Sequence, residues 1–154
     1  MVEVRAAEEG DRRALALLYA AVAEERDGIA AEPPVDLERI EARTDLERTL
    51  VAVSADEIVG FLVVVERFGF GELGMMVARD WRGRGVGSAL VAAAIDWARD
   101  RGLHKLALSV FPHNEAAIAL YRKYGFVEEG RHPKHMRRAN GELWDLIDMG
   151  LPLR

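Results

Sequence analysis

The stretch from Gly71 to Arg101, GELGMMVARDWRGRGVGSALVAAAIDWARDR, restricts the possible fold more than any other part of the chain. Glu72 to Val77 is a short apolar run suited to a strand with little water on either face. Ala78 to Trp81 reads as a polar turn, and Arg82-Gly83-Arg84-Gly85-Val86-Gly87 follows it. The chain then turns helical, with Leu90, Val91, Ala94, Ile95 and Ala98 on one stripe and Asp96, Arg99 and Asp100 off it. Gly102 is placed to end that helix as a left-handed cap.

A strand, a glycine turn and a helix start in that order predict an anion site. Gly83, Gly85 and Gly87 lack the Cβ atoms that keep a ligand off the backbone. The first N–H groups of a helix have no internal partner, and the helix dipole adds positive charge there. Arg82 and Arg84 supply full charges beside them, which suits a pyrophosphate. The plain alternative is a tight turn with two solvated arginines.

The spacing discriminates among phosphate ligands. There is no GxxxxGK followed by Ser or Thr, so this is not a P-loop. A dinucleotide frame, Gly83-x-Gly85-x-x-Ser88, puts serine at the third glycine, and the next strand ends around Ser109-Val110-Phe111 with no acid for a ribose. The frame Arg/Gln-x-x-Gly-x-Gly/Ala fits at Arg82, Gly85 and Gly87. In this the stretch resembles the acyl-CoA-binding motif of the GCN5-related N-acetyltransferase family, whose loop holds the pyrophosphate of coenzyme A.

The other elements follow from pattern. Val2 to Arg5 alternates as a first strand, and Asp11 stands where it can cap a helix from Arg12 to about Arg26, with Leu15, Leu18 and Val22 on one face. Asp27 to Pro34 reads as a loop, and Asp36 caps a charged second helix through Arg43. Thr49–Ser54 and Ile58–Arg67 form a hairpin about Ala55-Asp56. Lys105 to Val110 alternates as a buried strand, and joined through a helix to Glu72–Val77 it should run parallel to it. Both carboxyl ends then open near the glycine loop, where ligands of such sheets bind.

From Phe111 to Phe126 comes a second informative stretch. Asn114 is a natural helix cap, Glu115 suits the first turn and Gly125 the stop. Spacing alone leaves Tyr121 open, as a core aromatic or as a functional phenol. The series Asn114, Ala117, Leu120, Tyr121, Gly125, Phe126 resembles the second signature of the same family, complete and in order after the first. The resemblance is strong over about Glu72 to Gly130, and the flanks match it in element order. It implies a mixed α+β fold, the acyl-CoA N-acyltransferase fold, with a mostly antiparallel sheet flanked by helices. That sheet is expected to splay between strands 72–77 and 105–110.

Beyond Phe126, residues 126–131 read as a strand, His132 to Gly141 as a loop and Leu143 to Leu151 as a closing strand. His132-x-x-His135 lacks a third ligand and is read as loop, so no metal is expected. Gly125, Phe126, Glu129, Gly130, Gly141, Asp145 and Met149 more weakly resemble the branch acting on small amines and amino acids.

The resemblance assigns roles. Met75, Met76 and Val77 lie beside the thioester, with a backbone N–H near Met76 or Val77 on its carbonyl oxygen. Arg82, Gly83, Arg84, Gly85, Val86, Gly87 and Ser88 hold the pyrophosphate, and Asn114 meets the pantetheine arm. Tyr121 would protonate the leaving thiolate, a task a phenol of near-normal pKa can perform. The resemblance does not assign the general base: Glu72, in strand phase with Gly74 and Met76, is placed to act through water, with a solvated strand-end carboxylate as the plain alternative and His113 and Asp145 as weaker candidates. The acceptor pocket is expected from helix 36–43, loop 132–139 and strand 143–149. Acetyl-CoA is the expected cosubstrate, and a primary amine of a small molecule, amino acid or protein N-terminus the acceptor. A non-catalytic acyl-CoA sensor and a nicotinamide-dependent oxidoreductase are the alternatives.

Composition bounds the rest. At 154 residues, half of them apolar, the chain suits one globular domain over 1–154. A net charge of −5 argues against a non-specific nucleic-acid partner, and there is no cysteine to act as nucleophile or metal ligand. The N-terminus is unlike a signal peptide and no apolar run has membrane-spanning length, so a cytoplasmic protein is expected. The apolar alternation of Leu143 to Leu151, with the family's habit of pairing through its last strands, suggests a homodimer.

Overall fold

The computed structural model describes residues 1–154. Its strands are β1 (Glu3–Ala6), β2 (Thr49–Ser54), β3 (Glu57–Arg67), β4 (Phe70–Val77), β5 (Lys105–Val110), β6 (Val127–Arg137) and β7 (Leu143–Pro152). They make one sheet in the order β1-β2-β3-β4-β5-β7-β6. Every neighbouring pair is antiparallel except β4 and β5, which are parallel. The helices are α1 (Arg12–Glu24), α2 (Leu37–Arg43), α3 (Val86–Asp100) and α4 (Glu115–Lys123). The α+β fold is the one expected.

The parallel pair positions the site. Only Phe70, Gly71 and Glu72 pair with Lys105, Leu106 and Ala107. Past that point β4 keeps β3 and β5 keeps β7, and the two strands part. Gly71 sets the close approach: a Cβ there would lie 3.1 Å from Leu103 and Leu106 side chains and nearer still to Val64. A larger residue would push the strands apart before the splay begins.

Two apolar layers cover the sheet. Leu90, Val91, Ala94 and Ala98 of α3 are fully buried against Leu62, Val64, Leu73 and Leu106. Burying each large aliphatic side chain there contributes roughly 1.5–3 kcal/mol. On the other face Leu15, Leu18 and Val22 of α1 pack with Val51 and Phe61. Gly102, at φ +74, stops α3 as expected, its own N–H donating to Arg99 O and that of Leu103 to Ala98 O. Ala55 and Asp56 both take positive φ, the backbone of a two-residue hairpin. No helix is long and apolar enough to cross a membrane.

Two expectations need correction. Asp11 does not cap α1 with its side chain. Its carboxylate takes the Glu8 N–H at 2.7 Å and two hydrogen bonds from Arg5, which hold its pKa below the usual range despite some desolvation. The segment 132–137 is strand, not loop: β6 runs to Arg137 along β7, skipping register between His132 and Met136. Pro133 and the positive φ of Lys134 hid this from pattern, because they belong to a bulge, which Asp145 closes by accepting the Lys134 N–H at 2.8 Å. β7 lies between β5 and β6, with Ile147 and Met149 in the chain's own core.

Candidate active site

The splay opens into a cleft of about 890 Å³ that runs from the glycine turn past both strand ends. The ladder phase decides which backbone groups face it. Ala78 N donates to Val59 O at 2.8 Å, so Met76, two residues back, also bonds to β3, while Met75 and Val77 turn their N–H groups toward the gap. Of the two positions expected to present an N–H, Val77 faces the gap and Met76 does not. The Met76 side chain belongs instead to the α1 layer.

The glycine turn is bare. Gly83 and Gly85 sit at φ +73 and +85, and a Cβ on either would meet nothing within 4 Å. None of the backbone N–H groups from Gly83 to Ser88 reaches an acceptor within the chain, and the first α3 bond is Ala89 N to Gly85 O. Six consecutive free donors at a helix start form a cradle for an anion. Gly87 has another use, since a Cβ there would lie 2.8 Å from Leu120 Cδ2. Its absence brings α3 against α4, and the Tyr124 hydroxyl donates to Ser88 O at 3.0 Å to fix the contact. Val86 is core, 1% exposed, so only its backbone is available to a ligand.

The arginines differ from expectation. Arg82 makes a two-pronged pair with Glu25 at 2.6 and 2.8 Å, and its Nε donates to Val77 O. Its fork is satisfied by protein, so it joins the end of α1 to the turn rather than standing free; the pair holds Glu25 below the usual carboxylate range. The Arg84 guanidinium lies 4.0 Å over the Trp81 ring, outside the cleft lining.

Across the cleft, Asn114 occupies the cap position of α4, but its side chain makes no capping bond. Tyr121 is only 6% exposed, yet lines the cleft. Burial alone pushes its phenol up to about 12, so the near-normal value expected for it does not hold. Gly125, at φ +99, ends α4 as the sequence indicates.

Glu72 lines the cleft from the opposite face of β4 to Leu73, 3.9 Å from Arg67. His113 also lines it, but its Nε2 lies 2.8 Å from Asp27 O and its ring stacks on Phe111. Asp145 is outside, held by Arg131 and Lys134. Of the elements expected to form the acceptor wall, Met136 and Leu146 line this cleft and α2 does not; Tyr19, Val22 and residues 27–31 line it instead. That last segment is fastened by Arg138, the residue just past the end of β6. Arg138 is 4% exposed, donates to Arg26, Ile29 and Ala30 carbonyls, and stacks 4.3 Å over Trp144. Nothing local marked it, because its partners lie over 100 positions away.

Residues 13–126 match the model of the acetyltransferase (GNAT) family. An L-amino acid N-acetyltransferase, AaaT of Escherichia coli, is 33% identical over 121 residues, covering 73% of this chain and 72% of its own. A ribosomal-protein-alanine N-acetyltransferase from Brucella melitensis superposes with a TM-score of 0.87 at 32% identity, over 97% of this chain and 99% of its own. A phosphinothricin acetyltransferase from Sinorhizobium meliloti, solved with acetyl-CoA, shares the fold at TM-score 0.88 and 20% identity, over 98% and 88%. By sequence and fold together, the chain belongs to the GNAT family and is an N-acetyltransferase.

Proposed function

We propose that the protein moves the acetyl group of acetyl-CoA directly to the primary amine of a small molecule, with free amino acids foremost and a protein N-terminus as the other candidate. The observation that carries this is the bare run of N–H groups from Gly83 to Ser88 beside the gap between β4 and β5. A pyrophosphate fits the first and an extended thioester arm the second. The solved relative that holds acetyl-CoA has the same fold.

Acetyl-CoA supplies the acyl group and departs as a thiol. The chain's residues do the rest. The Val77 and Met75 N–H groups present donors to a carbonyl oxygen in the gap. Asn114, with an uncommitted amide, meets the arm. Glu72 takes the amine proton through water, and Tyr121 holds a proton for the sulfur. Glu72 shares a face with the α1 layer, whereas Tyr121 belongs to the layer under α3, so base and acid stand on opposite sides of the gap. Ile29, Met76, Met136 and Leu146 give the acceptor side an apolar wall, suited to an amino acid with an apolar side chain. The E. coli relative's name, an L-amino acid N-acetyltransferase, supports that class.

Titration with acetyl-CoA and with NADH, followed by an amine panel with thiol detection, tests the reading. Acetyl-CoA should bind and NADH should not, and at least one amine should release thiol. Binding of acetyl-CoA without thiol release from any amine would favour a sensor.

A further inference from the structure

Glu72 and Ser109 are the two residues that line both the cleft and an adjoining groove of about 510 Å³. Glu72 pairs with Ala107, and alternate residues of a strand share a face, so Ser109 stands on the same face as Glu72, one step into the splay. Together they form the doorway from groove to gap, on the side away from Tyr121.

The Ser109 hydroxyl is already oriented. It donates to Asp148 Oδ1 at 2.8 Å, and the other oxygen of Asp148 lies 2.7 Å from His132 Nε2. Desolvation opposes the charge on Asp148, but the hydrogen bonds with His132 and Ser109 outweigh it and hold this carboxyl below its ordinary range. A hydroxyl has one hydrogen, so with that hydrogen on Asp148 only lone pairs remain for a ligand. Such a group accepts an N–H and repels a carboxylate. Lys105, the one lysine of the groove, is paired with Glu129 at 2.7 Å and gives a carboxylate little compensation.

The geometry points to Ser109 as the residue that receives an N–H of the acceptor amine at this doorway, aimed by Asp148, which His132 steadies. This rests on the acetyl-transfer reading above. It makes Ser109 a binding residue for the acceptor and Asp148 a positioning residue, and it predicts that the groove side admits the ammonium end of an acceptor and disfavours a carboxylate. A purely structural role, in which Ser109 and Asp148 only tie β5 to β7, is the competing account, since the two are directly opposed.

Transfer to n-hexylamine, L-methionine and L-phenylalanine, measured by thiol release, separates these, with acetyl-CoA affinity titrated alongside. Ser109→Ala should lower kcat/KM for the amine by ~10- to 100-fold, the usual size of a hydrogen bond to a charged group. Acetyl-CoA affinity and the thermal midpoint should stay near wild type. Ser109→Thr keeps the hydroxyl on a strand that tolerates branching and should restore most of the loss. Asp148→Asn should act in the same direction as Ser109→Ala. A Ser109→Ala protein with a lowered midpoint and unchanged amine kcat/KM overturns the assignment, as does a Thr variant no better than Ala. Wild-type protein that binds acetyl-CoA yet acetylates none of the three probes overturns it too. Wild-type protein that binds no acetyl-CoA defeats the acetyl-transfer reading itself.

Discussion

Tyr121→Phe keeps the ring and its packing against Phe126, 5.6 Å away between centroids, and removes only the hydroxyl. Burial is the one cause of that phenol's raised pKa, with no hydrogen bond contributing. Deleting the group therefore breaks no internal bond, and Tyr121 lines the cleft, so little stability is at stake. The thermal midpoint should stay near that of wild type. Acetyl-CoA affinity should hold, because the glycine turn and the β4 edge are untouched. Turnover should fall by ~10²-fold, the usual effect of losing a general acid. The phenol at about 12 is a weak acid beside an ordinary thiol near 8.5, a gap of ~5 kcal/mol if the proton moved fully. The transfer becomes feasible where a thiolate loses solvation beside the buried phenol, which makes it a stronger base than one in water. Steady-state kinetics beside a binding titration and a melt read all three quantities. Unchanged turnover would refute the argument, leaving Tyr121 a core aromatic and water the proton source. Loss of acetyl-CoA binding in step with turnover would make the hydroxyl a binding group instead.

Other perturbations follow from the same geometry. Gly85→Val places a branched side chain at φ +85, and acetyl-CoA affinity should drop at least tenfold in protein whose circular dichroism is native; unchanged affinity would remove the turn from the site. Arg138→Met should lower stability by ~2 kcal/mol in a denaturant titration, since it takes a buried charged donor from three backbone carbonyls, and should raise the acceptor KM with little effect on acetyl-CoA binding. Gly71→Val should destabilise by ~1–3 kcal/mol through overpacking against Val64, Leu103 and Leu106, visible as a lower melting midpoint. The folded state disfavours the ionised Tyr121, so stability is unaffected by this group below pH ~10 and falls as pH rises toward 12, by up to ~3 kcal/mol. Alkaline denaturation of Tyr121→Phe should lack that component, and identical curves for the two proteins would count against the buried phenol.

What the sequence determined by itself is local or periodic. The glycine turn, the α3 stripe, the Gly102 and Gly125 stops and the Asn114–Phe126 series are legible because glycine conformations, helix ends and apolar spacing act over a few residues. The parallel relation of β4 and β5 was legible too, since a strand, helix and strand of that length allow little else. Tertiary structure decided everything that depends on partners distant in sequence. Arg82 reads as a free cation until Glu25, 57 positions away, takes its fork. Met76 and Val77 look equivalent until pairing with β3 determines which N–H faces the gap. The cleft wall came from residues 27–31 and not from α2, because Arg138 reaches back over 100 positions to fasten that segment. Ser109, an unremarkable serine on a short strand, became a candidate only when folding set Asp148 and His132 behind it. Such contacts have no period and no fixed spacing, so only the closed sheet could bring them together.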